Sequence, residues 1–303
     1  MPLTDKAWDN LIQNIIDGDV IPVLGAGACY GHIKLGSQIT SDWLTDGPDY
    51  LGDDLARQLP YVAQYHRVIE GDAVNIKKDF LRRYIETPIH VPDYKSQTEP
   101  HGRLASMPFE LVITTNYDDM MNNAFKAFSK NPETLICTWN TDKQAAKIAE
   151  IERQGKITPS KDRPVIFHLH GHNSNPRSLV LLEEDYEQFL ASLAKPSNGL
   201  SDDESILPSY VQDGLANRPL LFIGYSIADM TFRSVFRGLL NSVNSINQRR
   251  HVTVQYTNGL TAKRDNYMAK YYDSMNITFV NQQADDFTKE LLEKYRKAVG
   301  HAP

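Results

Sequence analysis

The sequence predicts an α/β fold: a Rossmann-like parallel sheet with helices on both faces and a helical insertion after the first strand. Three observations predict it. Short apolar runs alternate with amphipathic segments along most of the 303 residues, the pattern of strands joined by crossover helices. The first run ends in Gly25-Ala26-Gly27, as a buried parallel strand does where it meets a tight turn. After that turn, residues 30–105 change texture: Gly, Ser, Asp and Pro are frequent up to about position 54, and helical stretches follow. Residues 1–303 read as one domain carrying this insertion.

Taken in order, residues 4–17 form the first expected helix. Thr4 or Asp5 caps it, Trp8, Leu11, Ile12, Ile15 and Ile16 recur at spacings of three and four, and Gly18 ends it. The run VIPVLGAGA at 20–28 is the first strand and its turn. Within the insertion, helices are expected near 53–70 and 73–86, and three prolines from Thr87 to Pro100 mark a loop. Further strands are expected at 111–115, 134–139, 165–171, 220–225, 251–257 and 276–280. Helices are expected at 117–128, 141–154, 183–194, 229–243, 261–274 and 284–298. The polar stretches Gln154–Arg163 and Lys195–Ser205 read as exposed loops.

Composition excludes several functions. A chain of this length buries ~75% of its unfolded surface and needs no covalent staple. The only cysteines, Cys29 and Cys137, exclude a disulfide framework and a four-cysteine zinc ribbon. A net charge of −6 argues against a broad electropositive face for nucleic acid, and Arg249-Arg250 is too short for a basic stripe. The opening MPLTDKAWDN holds no apolar signal core. The longest apolar run, around Leu220–Ile223, is about five residues, far short of a bilayer span. The expectation is a soluble cytoplasmic protein without a membrane partner.

Four motifs carry candidate chemistry. Gly25-Ala26-Gly27-Ala28-Cys29 follows a strand, where small residues let backbone N–H groups approach a phosphate. The same residues also suit a turn that simply needs small side chains, and Cys29 suits an apolar filler. Thr114-Thr115-Asn116-Tyr117-Asp118 sits at a strand's carboxyl end, the edge where open α/β sheets bind ligands. An Asn there holds a sugar hydroxyl or orients a water; taken singly, Asn116 and Asp118 fit helix N-caps better. In His168-Leu169-His170-Gly171-His172, an extended backbone puts the three imidazoles on one face. His170, beside a glycine at the strand end, suits a general base. A three-histidine metal site is the alternative, as is a buried His168 with a solvated His172. Gly224-Tyr225-Ser226 ends another strand and suits a phosphate or ribose, with Asp229 as a helix cap. Glu183-Glu184-Asp185 reads as an acidic first helical turn.

The order of these motifs is specific. Gly-Ala-Gly, then Thr-Asn-Tyr-Asp, then His-Leu-His-Gly, then Gly-Tyr-Ser resembles the sirtuin family over about residues 15–240. It looks closest to the bacterial sirtuin-like NAD hydrolases of anti-phage defence. The resemblance implies a single NAD-binding domain with NAD as substrate and no metal. It implies that Gly25, Ala26, Gly27 and the adjoining Ala28 cradle the pyrophosphate, with Thr115 beside them. Asn116 would contact the nicotinamide ribose or the attacking water, Asp118 the carboxamide, and His170 would be the catalytic base. Gly224, Tyr225 and Ser226 would touch the phosphate or adenosine side. It also implies a homo-oligomer and a partner, a HerA-type ATPase or another nucleic-acid-sensing defence protein. The chain departs from the family's protein deacylases in lacking two Cys-x-x-Cys pairs, in carrying Cys29 where Ser is usual, and in showing no Pro-Asp-Phe-Arg stretch after the glycine loop.

The bond between ribose and nicotinamide suits this residue set. Its nitrogen is already cationic, so nicotinamide leaves neutral through an oxocarbenium-like transition state, as in glycoside hydrolysis. No carboxylate pair is needed. A clamp on the pyrophosphate, a fixed ribose and a proton acceptor suffice. The implied reaction gives ADP-ribose and nicotinamide. The rival expectations are an NAD-dependent protein deacylase and a non-catalytic NAD or ADP-ribose sensor that gates an oligomer.

Overall fold

The fold is described from a computed structural model covering residues 2–44, 48–140, 150, 153–193, 206–225, 249–257 and 261–300. Ser226, Asp229 and the expected helix 229–243 lie outside the described residues. So do the stretch Lys195–Ser205 and most of the expected helix 141–154.

Seven strands form one parallel sheet: β1 (Ile21–Leu24), β2 (Leu111–Thr114), β3 (Glu133–Ile136), β4 (Val165–His168), β5 (Leu220–Ile223), β6 (His251–Gln255) and β7 (Ile277–Asn281). Their order is β3-β4-β2-β1-β5-β6-β7. The chain winds to one side of β1 through β4 and then to the other side from β5. The junction of β1 and β5 is therefore the sheet's switch point, the edge at which open α/β sheets bind their ligands.

Strand alternation feeds two apolar layers. Ile21, Val23, Leu111, Ile113, Val165, Phe167, Leu220 and Phe222 face one layer. That layer is closed by α8 (Glu183–Leu193), α9 (Ser209–Asn217) and α10 (Ala262–Asp273). Leu24, Val112, Ile166, Leu221 and Ile223 face the other. It is closed by α1 (Asp5–Asp17), α6 (Pro100–Ala105), α7 (Met120–Ala127) and α11 (Ala284–Ala298). Helix α1 forms as its sequence dictates. The Thr4 hydroxyl accepts from the Ala7 amide, and Trp8, Leu11, Ile12 and Ile15 are buried. A one-face stripe of this kind gains most of its stability from burial rather than from propensity.

Between β1 and β2 lie α2 (Gly36–Trp43), α3 (Pro48–Leu55), α4 (Leu59–Glu70) and α5 (Ala73–Phe80). They have a core of their own. Ile39, Trp43, Val62, Ala63, Ile76, Phe80, Leu81 and Tyr84 pack on Leu179, Leu181 and Leu182, the segment that follows the histidine motif. This layer thereby rests on the carboxyl edge of the sheet. Helix α6 packs instead with α7 and α11, beneath the sheet. Arg103 fixes it there by donating to the Asp285 carboxylate at 2.6 Å and to Thr288 Oγ1 at 3.1 Å.

Candidate functional site

The switch point is closed by backbone packed on backbone. The Gly25 amide donates to Ile223 O at 2.9 Å, Gly27 to Gly224 O at 2.8 Å, and Ala28 to Gly25 O at 3.0 Å. Gly224 is required on two counts. Its φ is +82°, and a Cβ there would lie 2.3 Å from the Ala28 nitrogen. A Cβ on Gly27 would lie 2.9 Å from Gly224 Cα. The glycines thus let the β1 and β5 loops touch; two of the glycine loop's amides are engaged in that contact and a third, that of Ala28, within the loop itself. Tyr225 lies over Gly25; its hydroxyl donates to Leu24 O at 3.1 Å and meets Thr115 Oγ1 at 3.2 Å.

The segment after β2 reaches the same place. Thr114 Oγ1 and the Thr115 amide both donate to Leu24 O, and the Asn116 amide donates to Thr114 Oγ1. This turns the Asn116 side chain under the glycine loop. Its Nδ2 donates to Gly25 O at 3.1 Å and to Cys29 Sγ at 3.2 Å. Asp118 Oδ1 accepts from the Met120 amide at 2.9 Å, the cap-type bond that opens α7. Its Oδ2 accepts from the Cys29 thiol at 3.4 Å. Both side chains are 9% exposed. The structure therefore brings Gly25, Ala26, Gly27, Ala28, Thr115, Asn116, Asp118, Gly224 and Tyr225 to one junction, from three separated segments.

The histidine motif differs from its expected geometry. A turn at 169–170 ends the extended run, and Gly171 adopts φ +91°. The three imidazoles therefore do not share a face. His168 and His172 pair, with ring centroids 4.4 Å apart. His170 turns toward α8, 5.0 Å from the Phe189 ring and 5.6 Å from Tyr186. His172, expected in one reading to be solvated, is buried and bonded to Asp119 Oδ1 at 3.2 Å. That hydrogen bond, opposed by burial and helped by Asn173, holds Asp119 down at about 2.

His168 Nδ1 is 3.0 Å from Asn116 O. A carbonyl only accepts, so Nδ1 carries the proton and Nε2 is bare. His168 is thus the histidine that fixes the Asn116 backbone. Burial, then the neighbouring His172, lowers its pKa to about 3. Burial alone lowers His170 to about 3. The Nε2 atoms of both are buried and have no hydrogen-bond partner among the described residues. Both imidazoles are neutral at physiological pH. Among the described residues, no group of three His, Cys, Asp or Glu side chains is placed to hold a metal ion. No described helix is long and apolar enough to cross a membrane.

Two neighbours of the site had no signal in the chemical motifs. His101 Nε2 lies 3.8 Å from Cys29 Sγ, and Glu99 Oε2 lies 2.9 Å from His101 Nδ1. In the sequence, Glu99 and Pro100 fall at the end of the expected loop from Thr87 to Pro100, and Cys29 reads as a filler. Only the fold joins them, across 72 residues of chain.

The fold and site define an open, doubly wound α/β protein whose buried polar groups gather at the sheet's switch point. A family profile described as SIR2-like domain matches residues 110–280, more than half of the chain, and the chain belongs to that family. It is 24% identical over 215 residues to NAD(+) hydrolase ThsA of Enterococcus faecium, covering 70% of this chain and 38% of that one. It is 26% identical over 157 residues to NAD(+) hydrolase ThsA of Bacillus cereus (strain MSX-D12), covering 51% of this chain and 27% of that one. NAD(+) hydrolase ThsA of Cytobacillus dafuensis is 28% identical over 131 residues, 43% of this chain and 22% of its own length. The chain spans less than two-fifths of these curated relatives. A solved structure described as "Structural Basis for the Mechanism and Regulation of Sir2 Enzymes" aligns over 99% of this chain and 100% of its own, at 8% identity and a TM-score of 0.42.

Proposed function

We propose that this chain cleaves the nicotinamide–ribose bond of NAD to give ADP-ribose and nicotinamide. The carrying observation is the convergence of Asn116 and Asp118 on the glycine loop at the switch point, with Asn116 Nδ2 3.1 Å from Gly25 O. The names of the relatives from B. cereus, E. faecium and C. dafuensis support the same reaction.

In this reading Gly25–Ala28, Thr115, Gly224, Tyr225 and Ser226 line the dinucleotide path. Asp118 recognises the carboxamide. Asn116 has both amide hydrogens engaged by Gly25 and Cys29, so it offers Oδ1 as an acceptor toward a ribose hydroxyl or a water. His170 accepts the proton. A neutral imidazole of low basicity suffices, because the oxocarbenium-like centre is itself the strong electrophile and water adds late. The helical layer on Leu179–Leu182 restricts water at the sheet edge.

The wider reading is an NAD-depleting protein of anti-phage defence, working in the cytoplasm as a homo-oligomer with a HerA-type ATPase or another nucleic-acid-sensing partner. Size measurement alone and with co-expressed neighbours tests the assembly. A second reading of the base is favoured by one observation: His168, not His170, is hydrogen-bonded to Asn116. Nicotinamide release by His168→Ala and His170→Ala separates the two. Loss in His170→Ala alone supports His170, and loss in His168→Ala alone transfers the role.

A further inference from the structure

Five buried polar side chains from three segments meet behind the candidate site. They are Cys29 (3% exposed), Glu99 (2%), His101 (1%), Asn116 (9%) and Asp118 (9%). Their contacts form a chain: Glu99 Oε2 to His101 Nδ1 at 2.9 Å, His101 Nε2 to Cys29 Sγ at 3.8 Å, then Sγ to Asn116 Nδ2 at 3.2 Å and to Asp118 Oδ2 at 3.4 Å. Ile33, Met120 and the partly buried Tyr94 close the apolar side. Buried polar groups at this density are costly unless each is satisfied.

We propose that Glu99 and His101 are positioning residues that act through Cys29 to fix the Asn116 amide and the Asp118 carboxylate. The proposal rests on the NAD-hydrolase reading above and deepens it.

The proton positions follow from chemistry. Burial alone would lower His101, but the hydrogen bond and charge of Glu99, with the charge of Asp118, outweigh it and raise the imidazole above its ordinary value. Burial would raise Glu99; hydrogen bonds from His101 and from the amides of His101 and Gly102 hold it below the usual range. Both shifts favour the imidazolium–carboxylate form of the pair, in which Nδ1–H donates to Glu99 Oε2 at 2.9 Å. A protonated imidazole has only donors, so His101 directs Nε2–H at Sγ. Burial first, then the charge and hydrogen bond of Asp118, keep the Cys29 thiol protonated. Sγ therefore receives hydrogens from His101 and Asn116 and gives its own to Asp118.

A thiol, imidazole and carboxylate in this order resemble a nucleophile, base and orienting acid. The geometry opposes that use: the thiol hydrogen points at the Asp118 carboxylate, not at the imidazole. What the cluster does is set two rotamers. With Gly25 O and Sγ both fixed as acceptors, only one orientation of the Asn116 amide is allowed.

The test combines kinetics with a spectrum of the ligand-free protein. Variants that keep a wild-type cooperative melting transition are compared. Cys29→Ala and His101→Gln are expected to lower kcat for nicotinamide release about tenfold, the equivalent of one charge-assisted hydrogen bond, with KM within about threefold. Cys29→Ser, which keeps donor and acceptor, recovers most of the loss. The Cys29→Ala/His101→Gln double variant falls no further than either single, because both break one chain. The infrared S–H band of Cys29, assigned by its disappearance in Cys29→Ser, shifts in Glu99→Gln and His101→Gln. Wild-type kinetics in folded Cys29→Ala or His101→Gln, additive losses, or an unmoved S–H band overturns the proposal. So does rapid alkylation of native Cys29 by iodoacetamide at neutral pH. Wild-type protein that leaves NAD intact counts against the hydrolase reading alone, since the S–H band reports the cluster independently.

Discussion

Lys77→Met removes one partner of a buried ion pair that ties the helical insertion to α8, the helix that faces His170. Lys77 Nζ donates to Asp185 Oδ1 at 2.7 Å, and the two residues are 5% and 6% exposed. Asp185 Oδ2 also accepts from the Leu181 and Leu182 amides at 3.0 and 2.8 Å, capping α8. Breaking a buried pair from one side costs ~3–5 kcal/mol, because a charge is left uncompensated. Two amide donors stay with Asp185, which puts Lys77→Met at the low end, about 3 kcal/mol. With a urea slope of ~3 kcal/mol per molar, the unfolding midpoint falls by roughly 1 M. Asp185→Asn strands the lysine and weakens the cap, at similar cost. The double variant holds no unpaired charge, so its loss is smaller than the sum of the singles by about 2 kcal/mol. Urea titration followed by circular dichroism reads all four proteins. A Lys77→Met midpoint within about 0.2 M of wild type, or additive singles, refutes the reasoning. Helix α8 presents Phe189 and Tyr186 to His170, so nicotinamide release by Lys77→Met falls at lower temperature than in wild type.

Gly224→Ala forces a Cβ to 2.3 Å from the Ala28 nitrogen at φ +82°. Backbone strain of that kind costs ~1–3 kcal/mol before the clash is added, so a lowered melting temperature and lost NAD turnover are expected; unchanged values contradict the loop contact. His251 Nδ1 accepts the Leu220 amide at 3.0 Å, and burial lowers its pKa to about 4. The unfolded chain takes up this proton below about 6.5 while the folded protein does not, so stability is full above that pH and falls toward pH 4, by ~2 kcal/mol at pH 5. His251→Asn flattens the pH dependence of the melting temperature between pH 7 and 5, and an equally steep profile contradicts it.

The sheet was readable because its central strands, β1, β2, β4 and β5, are short, mostly apolar runs buried along their whole length, the pattern of a parallel strand covered on both faces. The run at 165–171 is shorter in the fold, ending at His168, because Gly171 takes a positive φ that turns the backbone. Alternation then fails as a guide, which is why His170 and His172 part company. Helix α9 lacks a clear apolar period; Gly214 sits in it so that the helix can lie against Ile21 of β1. That the glycine loop, Asn116 and Asp118 meet at one edge was legible because all three follow strand ends, which lie together in a parallel sheet. The cluster of Cys29, Glu99 and His101 beside them was not. Their partners lie 72 to 89 residues away, and a buried thiol bonded to Asn116 and Asp118 has the same sequence signal as an apolar filler.

The most direct measurement is product analysis by mass spectrometry after incubating the purified protein with NAD, alone and with co-expressed neighbours, for wild type, Asn116→Ala and His170→Ala. The account predicts equimolar nicotinamide and ADP-ribose from the wild type and neither from the two variants. Intact NAD in every wild-type condition, or full release by both variants, contradicts it.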